Sequence, residues 1–225
     1  MANIFIIVEG QTEEQFFKKN LQQHYIAQTG DYQHYFQVVV MPSKKNTYTR
    51  IHKGGSINYE NCIANIKRFL HQAAHCELVL LVFDYYGIHE SFKDHLDESH
   101  LSLVDKIVAI QERLEQEINN SRFKFRLQVH EFEALLFSDV QIIAKHFRQP
   151  ETLQTLEKIL SKFEGNPELI NDHISTAPSK RLKKLFSDFG KTSDGLQIID
   201  KIPIEVLRKQ CYYFNQTLQL FDNLK

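Results

Sequence analysis

Two acidic side chains stand directly behind apolar runs: Glu9 follows residues 4–8 and Asp84 follows residues 78–83. A continuous apolar run of that length is the pattern of a strand buried on both faces of a parallel sheet. Residues that end such strands share one edge of the sheet, the edge where open parallel sheets bind their ligands. Carboxylates brought together there repel one another unless a proton or a cation lies between them. Oxygen ligands without cysteine favour Mg²⁺ or Mn²⁺ over zinc. Glu9 and Asp84 are therefore the first candidate metal ligands. Glu13 lies within the turn after Gly10 and can face the same edge, although the helix dipole alone accounts for an acid at that position. A second cluster, His130-Glu-Phe-Glu133, follows another alternating run. Glu131 and Glu133 share a face if the strand continues and diverge if a helix starts there, and at least one is expected to complete the metal site.

To hold these acids on one edge the chain must alternate strands with helices. Residues 37–41 form a second strand candidate, stopped by Pro42, and Phe125, Leu127 and Val129 alternate as a fourth strand does. Between them, Thr12-Glu-Glu-Gln15 has the form of a capping box opening a helix to about His24. Cys62, Ile63, Ile66, Phe69 and Leu70 repeat at helical spacing within residues 59–74, and Leu103, Ile107, Ile110 and Leu114 do so within residues 101–118. The pattern predicts an α/β fold with a mainly parallel four-stranded sheet flanked by helices. Beyond Ser138 the strand pattern ends, and Pro150, Gly165, Pro167, Pro178, Gly190 and Gly195 punctuate short helical stretches. The expected organisation is an α/β domain over residues 1–137 and an α-helical extension over residues 138–225 packed on it.

The chain of 225 residues carries 27 Lys and Arg against 28 Asp and Glu, a net charge of −1. That sum excludes a histone-like or a strongly acidic protein, but the charges are unevenly spread. Residues 42–54 hold Lys44, Lys45, Arg50 and Lys53 and no acid, whereas residues 77–120 are strongly acidic. The basic segment reads as an exposed loop able to track a phosphate backbone, with Tyr48 placed to stack on a base; a merely solvated loop is the alternative. Pro178-Ser-Lys-Arg181 reads as the start of a helix whose amino terminus, with Ser179, Lys180 and Arg181, makes a phosphate site, or else as a solubilising surface. Neither a GxxxxGK[ST] nor a GxGxxG motif is present. Three cysteines without CxxC spacing fit a reducing cytoplasm, and no run approaches the roughly 20 apolar residues that span a bilayer.

Four segments carry a family resemblance. Ile6-Ile-Val-Glu-Gly-Gln-Thr-Glu13 resembles the opening motif of TOPRIM domains, and Leu80-Leu-Val-Phe-Asp-Tyr-Tyr-Gly87 stands where that fold has its Asp-x-Asp motif, with Tyr86 in place of the second acid. With His130-Glu-Phe-Glu-Ala-Leu-Leu-Phe137 and Ala177-Pro-Ser-Lys-Arg-Leu182, the chain looks similar along most of its length to a TOPRIM-related family of unknown function, whose members are often encoded beside AAA-class ATPases in bacterial defence neighbourhoods. The resemblance implies a TOPRIM-like fold and Mg²⁺-dependent phosphodiester hydrolysis: a nuclease on DNA or RNA, serving as a phage-defence effector. It implies Glu9 as general acid/base, with Glu13, Asp84 and one of Glu131 or Glu133 holding one or two metal ions. The competing expectation, favoured by Tyr86, is a catalytically inactive TOPRIM-like module that binds nucleic acid or an ATPase partner. A third is hydrolysis of a smaller phosphate ester. Assembly as a homo-oligomer is left open by the sequence.

Overall fold

A computed structural model of the chain describes residues 2–29, 34–42, 57–94, 96, 100–129, 131–170 and 176–224. The chain divides into two compact units, one comprising residues 1–127 with 224–225 and the other residues 128–223.

The first unit is built on a four-stranded sheet in the order β2-β1-β3-β4, from β1 (Ala2–Val8), β2 (His34–Val40), β3 (Leu78–Asp84) and β4 (Phe123–Gln128). β1 runs parallel to both β2 and β3, with Val8 opposite Val40 on one side and Val82 on the other. The α/β class and the four-stranded sheet expected from the alternating pattern are therefore present. The two central strands are apolar along almost their full length because both faces are covered; Ile4, Ile6, Ile7, Leu80 and Leu81 are inaccessible to solvent.

The helices form for legible reasons. α3 (Tyr59–Gln72) starts where Asn58 Oδ1 accepts the Asn61 N–H at 3.1 Å, and it buries Cys62, Ile63, Ile66, Phe69 and Leu70. α4 (Leu103–Ile118) starts on Ser102, whose Oγ accepts the Asp105 N–H, and ends on Asn119 in the left-handed region at φ 46°. The capping-box reading at Thr12 does not hold. Gly10 occupies the cap position in an extended conformation and offers no side chain, so α1 (Gln11–Gln15) begins earlier and Thr12 is buried in its first turn. A π-helical stretch, Phe16–Leu21, then leads into α2 (Gln22–Thr29), so the helix runs past His24.

Both edge strands are covered by side chains from neighbouring helices. The Phe36 N–H on β2 donates to Gln22 Oε1 at 2.9 Å. On β4, Phe125 N–H donates to Glu115 Oε1 and Leu127 N–H to Gln111 Oε1, each at 2.8 Å. Groups that would otherwise template another strand are thus satisfied within the unit.

The second unit starts at the last residue of β4, and among its described residues all regular structure is helical. After a 3₁₀ stretch (Phe132–Asp139) come α5 (Val140–His146), α6 (Leu153–Ser161), α7 (Pro178–Leu185), α8 (Leu196–Ile199), α9 (Ile204–Gln210) and α10 (Tyr212–Asp222). Leu136, Ile143, Leu156, Leu182, Phe214 and Phe221 are fully buried, and Phe147 stacks on Phe186 with ring centroids 3.9 Å apart. Among the described residues, no helix is long and apolar enough to cross a membrane.

Candidate functional site

In the first unit the two central strands end in acids at one edge of the sheet. The register that sets Val8 against Val82 places Glu9 and Asp84 at the same end of neighbouring strands. The chain then turns sharply, the Gly87 and Ile88 N–H groups both donating to the Asp84 carbonyl at 3.0 and 3.1 Å. Gly87 packs against both residues. A methyl group built on it would stand 3.3 and 3.4 Å from the two Glu9 carboxylate oxygens and 3.5 Å from the Asp84 Cβ. Glu9, Met41, Ile57, Phe83, Gly87, Ile88 and His89 line a small cleft at this edge. Glu13 bends back over Gly10: its Oε2 lies 2.6 Å from where a glycine-to-alanine methyl would be, so a side chain there would displace the Glu13 carboxylate.

His89 went unnoticed in the sequence, and only its place just beyond a strand-end turn hints at it. Its Nδ1 accepts the Ser91 N–H at 3.2 Å, which assigns the ring proton of the neutral form to Nε2. Tyr86, which replaces the second acid of the Asp-x-Asp pattern, is exposed and packs edge-on against Tyr85. It supplies no carboxylate to this edge.

Among the described residues, no three His, Cys, Asp or Glu side chains converge as a group able to hold a metal ion. Mg²⁺ does not demand one: it keeps several waters and is commonly held by one or two carboxylates together with substrate phosphates. Glu9 and Asp84 fit that donor set.

The expected ligands Glu131 and Glu133 belong to the second unit. A 3₁₀ stretch, not a continuing strand, follows Glu131, yet the two acids still face a common group. The Lys191 ammonium lies 3.4 Å from Glu131 Oε1 and 3.0 Å from Glu133 Oε2. Glu133 is 2% exposed, and a buried carboxylate requires a counter-charge. Burial alone would lower the Lys191 pKa, but the two carboxylates outweigh it and raise it above the usual lysine range.

The other oxygen of Glu131 accepts the Ser179 N–H at 3.2 Å, in the first turn of α7. The helix start read as a phosphate site thus already receives a carboxylate of the protein itself. Ser179 is buried, and Arg181 donates through Nε to the Thr176 carbonyl at 2.6 Å while its guanidinium lies over the Phe163 ring. Lys180 is exposed. The remaining basic candidates, Lys44, Lys45 and Lys53 with Tyr48 and Arg50, lie outside the described residues, as does His130.

No curated protein and no solved structure matches the chain. Residues 8–221, a span that takes in Glu9, Asp84, the Glu131–Glu133 cluster and α7, match the family described as "Domain of unknown function (DUF4276)", and the chain belongs to that family.

Proposed function

We propose that the protein is a divalent-cation-dependent phosphodiesterase, a nuclease acting on DNA or RNA, whose centre is the strand-end edge of the first unit. The observation that supports this reading is the placement of Glu9 and Asp84 beside Gly87, at the same end of two adjacent parallel strands, the end where such sheets bind ligands. The resemblance of Ile6–Glu13 to the TOPRIM opening motif supports the same assignment.

In this reading Asp84 and Glu9 supply the carboxylates for Mg²⁺ or Mn²⁺, with Glu13 beside them. A bound divalent ion contributes polarisation of the phosphate and a lowered pKa for an attacking water. Glu9 acts as general acid/base at the scissile ester. His89 lines the same cleft with its Nε2–H as a hydrogen-bond donor for a phosphate oxygen. A role as a phage-defence effector working with an AAA-class ATPase rests on the family resemblance alone.

The absence of a carboxylate at Tyr86 favours the second reading, a catalytically inactive module that binds nucleic acid or an ATPase partner. One experiment separates the two. The full chain is incubated with single- and double-stranded DNA and RNA in Mg²⁺ or Mn²⁺, beside Glu9→Gln and Asp84→Asn. The proposal expects cleavage that is lost in both variants. Cleavage that survives in both places the chemistry elsewhere. No cleavage of any polymer, with no metal binding by calorimetry, favours the binding module instead.

A further inference from the structure

The second unit holds a cleft that the strand-end chemistry does not use. It has a volume of about 520 Å³ and is lined by Ile142, Lys145, His146, Arg148 and Lys201. Four of those five residues are basic, and none of them is acidic. They come from two places in the chain: α5 and the turn just after it, and the turn after α8. Cations at a helix carboxyl end are favoured by its dipole, which accounts for Lys145 and His146 but not for Lys201, brought in from elsewhere.

Three observations indicate that the cluster is held for a ligand. First, His146 is fixed in orientation. Its Nε2 lies 2.9 Å from Asp194 Oδ1, and Lys201 Nζ lies 3.3 Å from its Nδ1. An ammonium can only donate, so Nδ1 is the acceptor and Nε2 carries the proton donated to Asp194.

Second, Asp194 is itself anchored. Its Oδ2 accepts the Gly190 N–H at 2.8 Å and the Ser193 hydroxyl at 3.1 Å. Burial works against its ionisation, but these bonds and the one from His146 outweigh it and hold the carboxyl below its usual range. Asp194 is thus spent on positioning the ring and is not among the residues that line the cleft. Third, Arg148 adopts φ 55°, the left-handed conformation in which a helix end ordinarily carries glycine. A long cationic side chain thus stands where the backbone favours none.

We propose that this cleft binds a phosphomonoester, with Arg148 and Lys201 gripping the phosphate oxygens, Lys145 adding charge at the rim and His146 oriented by Asp194. Arginine suits a two-pronged grip on a planar face of phosphate oxygens, and lysine adds a mobile point charge. The volume exceeds that of inorganic phosphate and falls within the range of small-molecule pockets, leaving room for the group that bears the phosphate. A nucleoside monophosphate and the 5′-phosphorylated end of a nucleic-acid strand both present that chemistry. The inference does not depend on the metal reading, because every residue it uses lies in the second unit.

Binding is measured by calorimetry on the full chain in EDTA, with inorganic phosphate, a nucleoside monophosphate, and an oligonucleotide bearing either a 5′-phosphate or a 5′-hydroxyl. The expected result is saturable binding of the phosphorylated ligand, at least tenfold tighter than that of its unphosphorylated counterpart. Binding of the nucleotide alone identifies a small-molecule site, and binding of the phosphorylated oligonucleotide identifies a strand-end site. Arg148→Gly and Lys201→Gln should each weaken binding at least tenfold, while Lys209→Ala, on α9 and exposed, leaves it unchanged. Arg148→Gly also relieves the left-handed strain, so it should melt no lower than the parent, which separates lost binding from lost folding. The proposal is overturned if no ligand binds at millimolar concentration, if the 5′-hydroxyl oligonucleotide binds as well as its phosphorylated partner, or if affinity survives in both variants.

Discussion

Glu168 offers a test of the second unit that needs no knowledge of its ligand. Its side chain is 3% exposed, and its two carboxylate oxygens accept the N–H groups of Tyr213 and Phe214, each at 2.9 Å. Those donors are in the first turn of α10, which has no side-chain cap of its own. Burial pushes the carboxyl up from 4.5 to about 7, and the backbone N–H groups pull it down without cancelling that effect. A carboxyl whose folded pKa lies above its unfolded one favours folding below the unfolded value. That contribution is lost as pH rises through the folded value, here between about 4.5 and 7. At about 1.4 kcal/mol for each tenfold change in proton affinity, the loss amounts to about 3 kcal/mol.

Glu168→Gln keeps the shape and removes the titration. Its single carbonyl oxygen can accept one of the two N–H groups, so the variant should be less stable than the parent by about 1–3 kcal/mol at pH 5. Between pH 5 and pH 8 the difference should move in the variant's favour by most of the 3 kcal/mol, bringing the two level or reversing their order. Urea unfolding followed by far-ultraviolet circular dichroism at half-unit pH steps measures the difference, in which all other titrations cancel. A difference that does not change with pH would refute the reasoning. So would one that moves toward the parent as pH rises, the result expected if the two N–H bonds outweigh burial.

Two further perturbations bear on the acids singled out by the sequence. Lys191→Met removes the ammonium shared by Glu131 and Glu133; because Lys191 is half exposed, the loss should be about 2–3 kcal/mol rather than the full cost of breaking a buried pair, measured by urea unfolding at neutral pH. Gly87→Ala sets a methyl 3.3 Å from the Glu9 carboxylate, so thermal melts should shift by less than about 1 kcal/mol in stability while metal-dependent cleavage drops at least tenfold.

The sheet was legible because its central strands are apolar on both faces, and residues 4–8 and 78–83 admit few other readings. β2 was placed three residues late, because His34 and Tyr35 do not look like strand residues; His34 is nonetheless 2% exposed and packs its ring against Tyr25. At the amino end of α1 the residue types suggested a capping box, but a glycine-mediated turn out of β1 decided where the helix starts. The strand-end acids could be read from spacing alone, whereas His89 could not, since its relevance depends on where a tight turn returns the chain. Glu131 and Glu133 stood out in the sequence as candidate metal ligands, and in the structure both face Lys191. Their partners, Lys191 and the Ser179 N–H, lie some 50 to 60 residues away, beyond the reach of any local pattern.

The placement of Glu9 and Asp84 has a consequence for how the molecule opens. Both are attached to the two central strands, and Val8 and Val82 immediately before or near them are held in register on a shared hydrogen-bonded ladder. Amides in such strands exchange with solvent only in the rarest openings, whereas β2 and β4, each with one edge guarded by helix side chains, can fray first. Native-state hydrogen exchange should therefore find the slowest amides next to the candidate acids. The unit can lose its margins many times over while the geometry at Gly87 persists, so the pair of carboxylates should be among the last features to disappear before global unfolding.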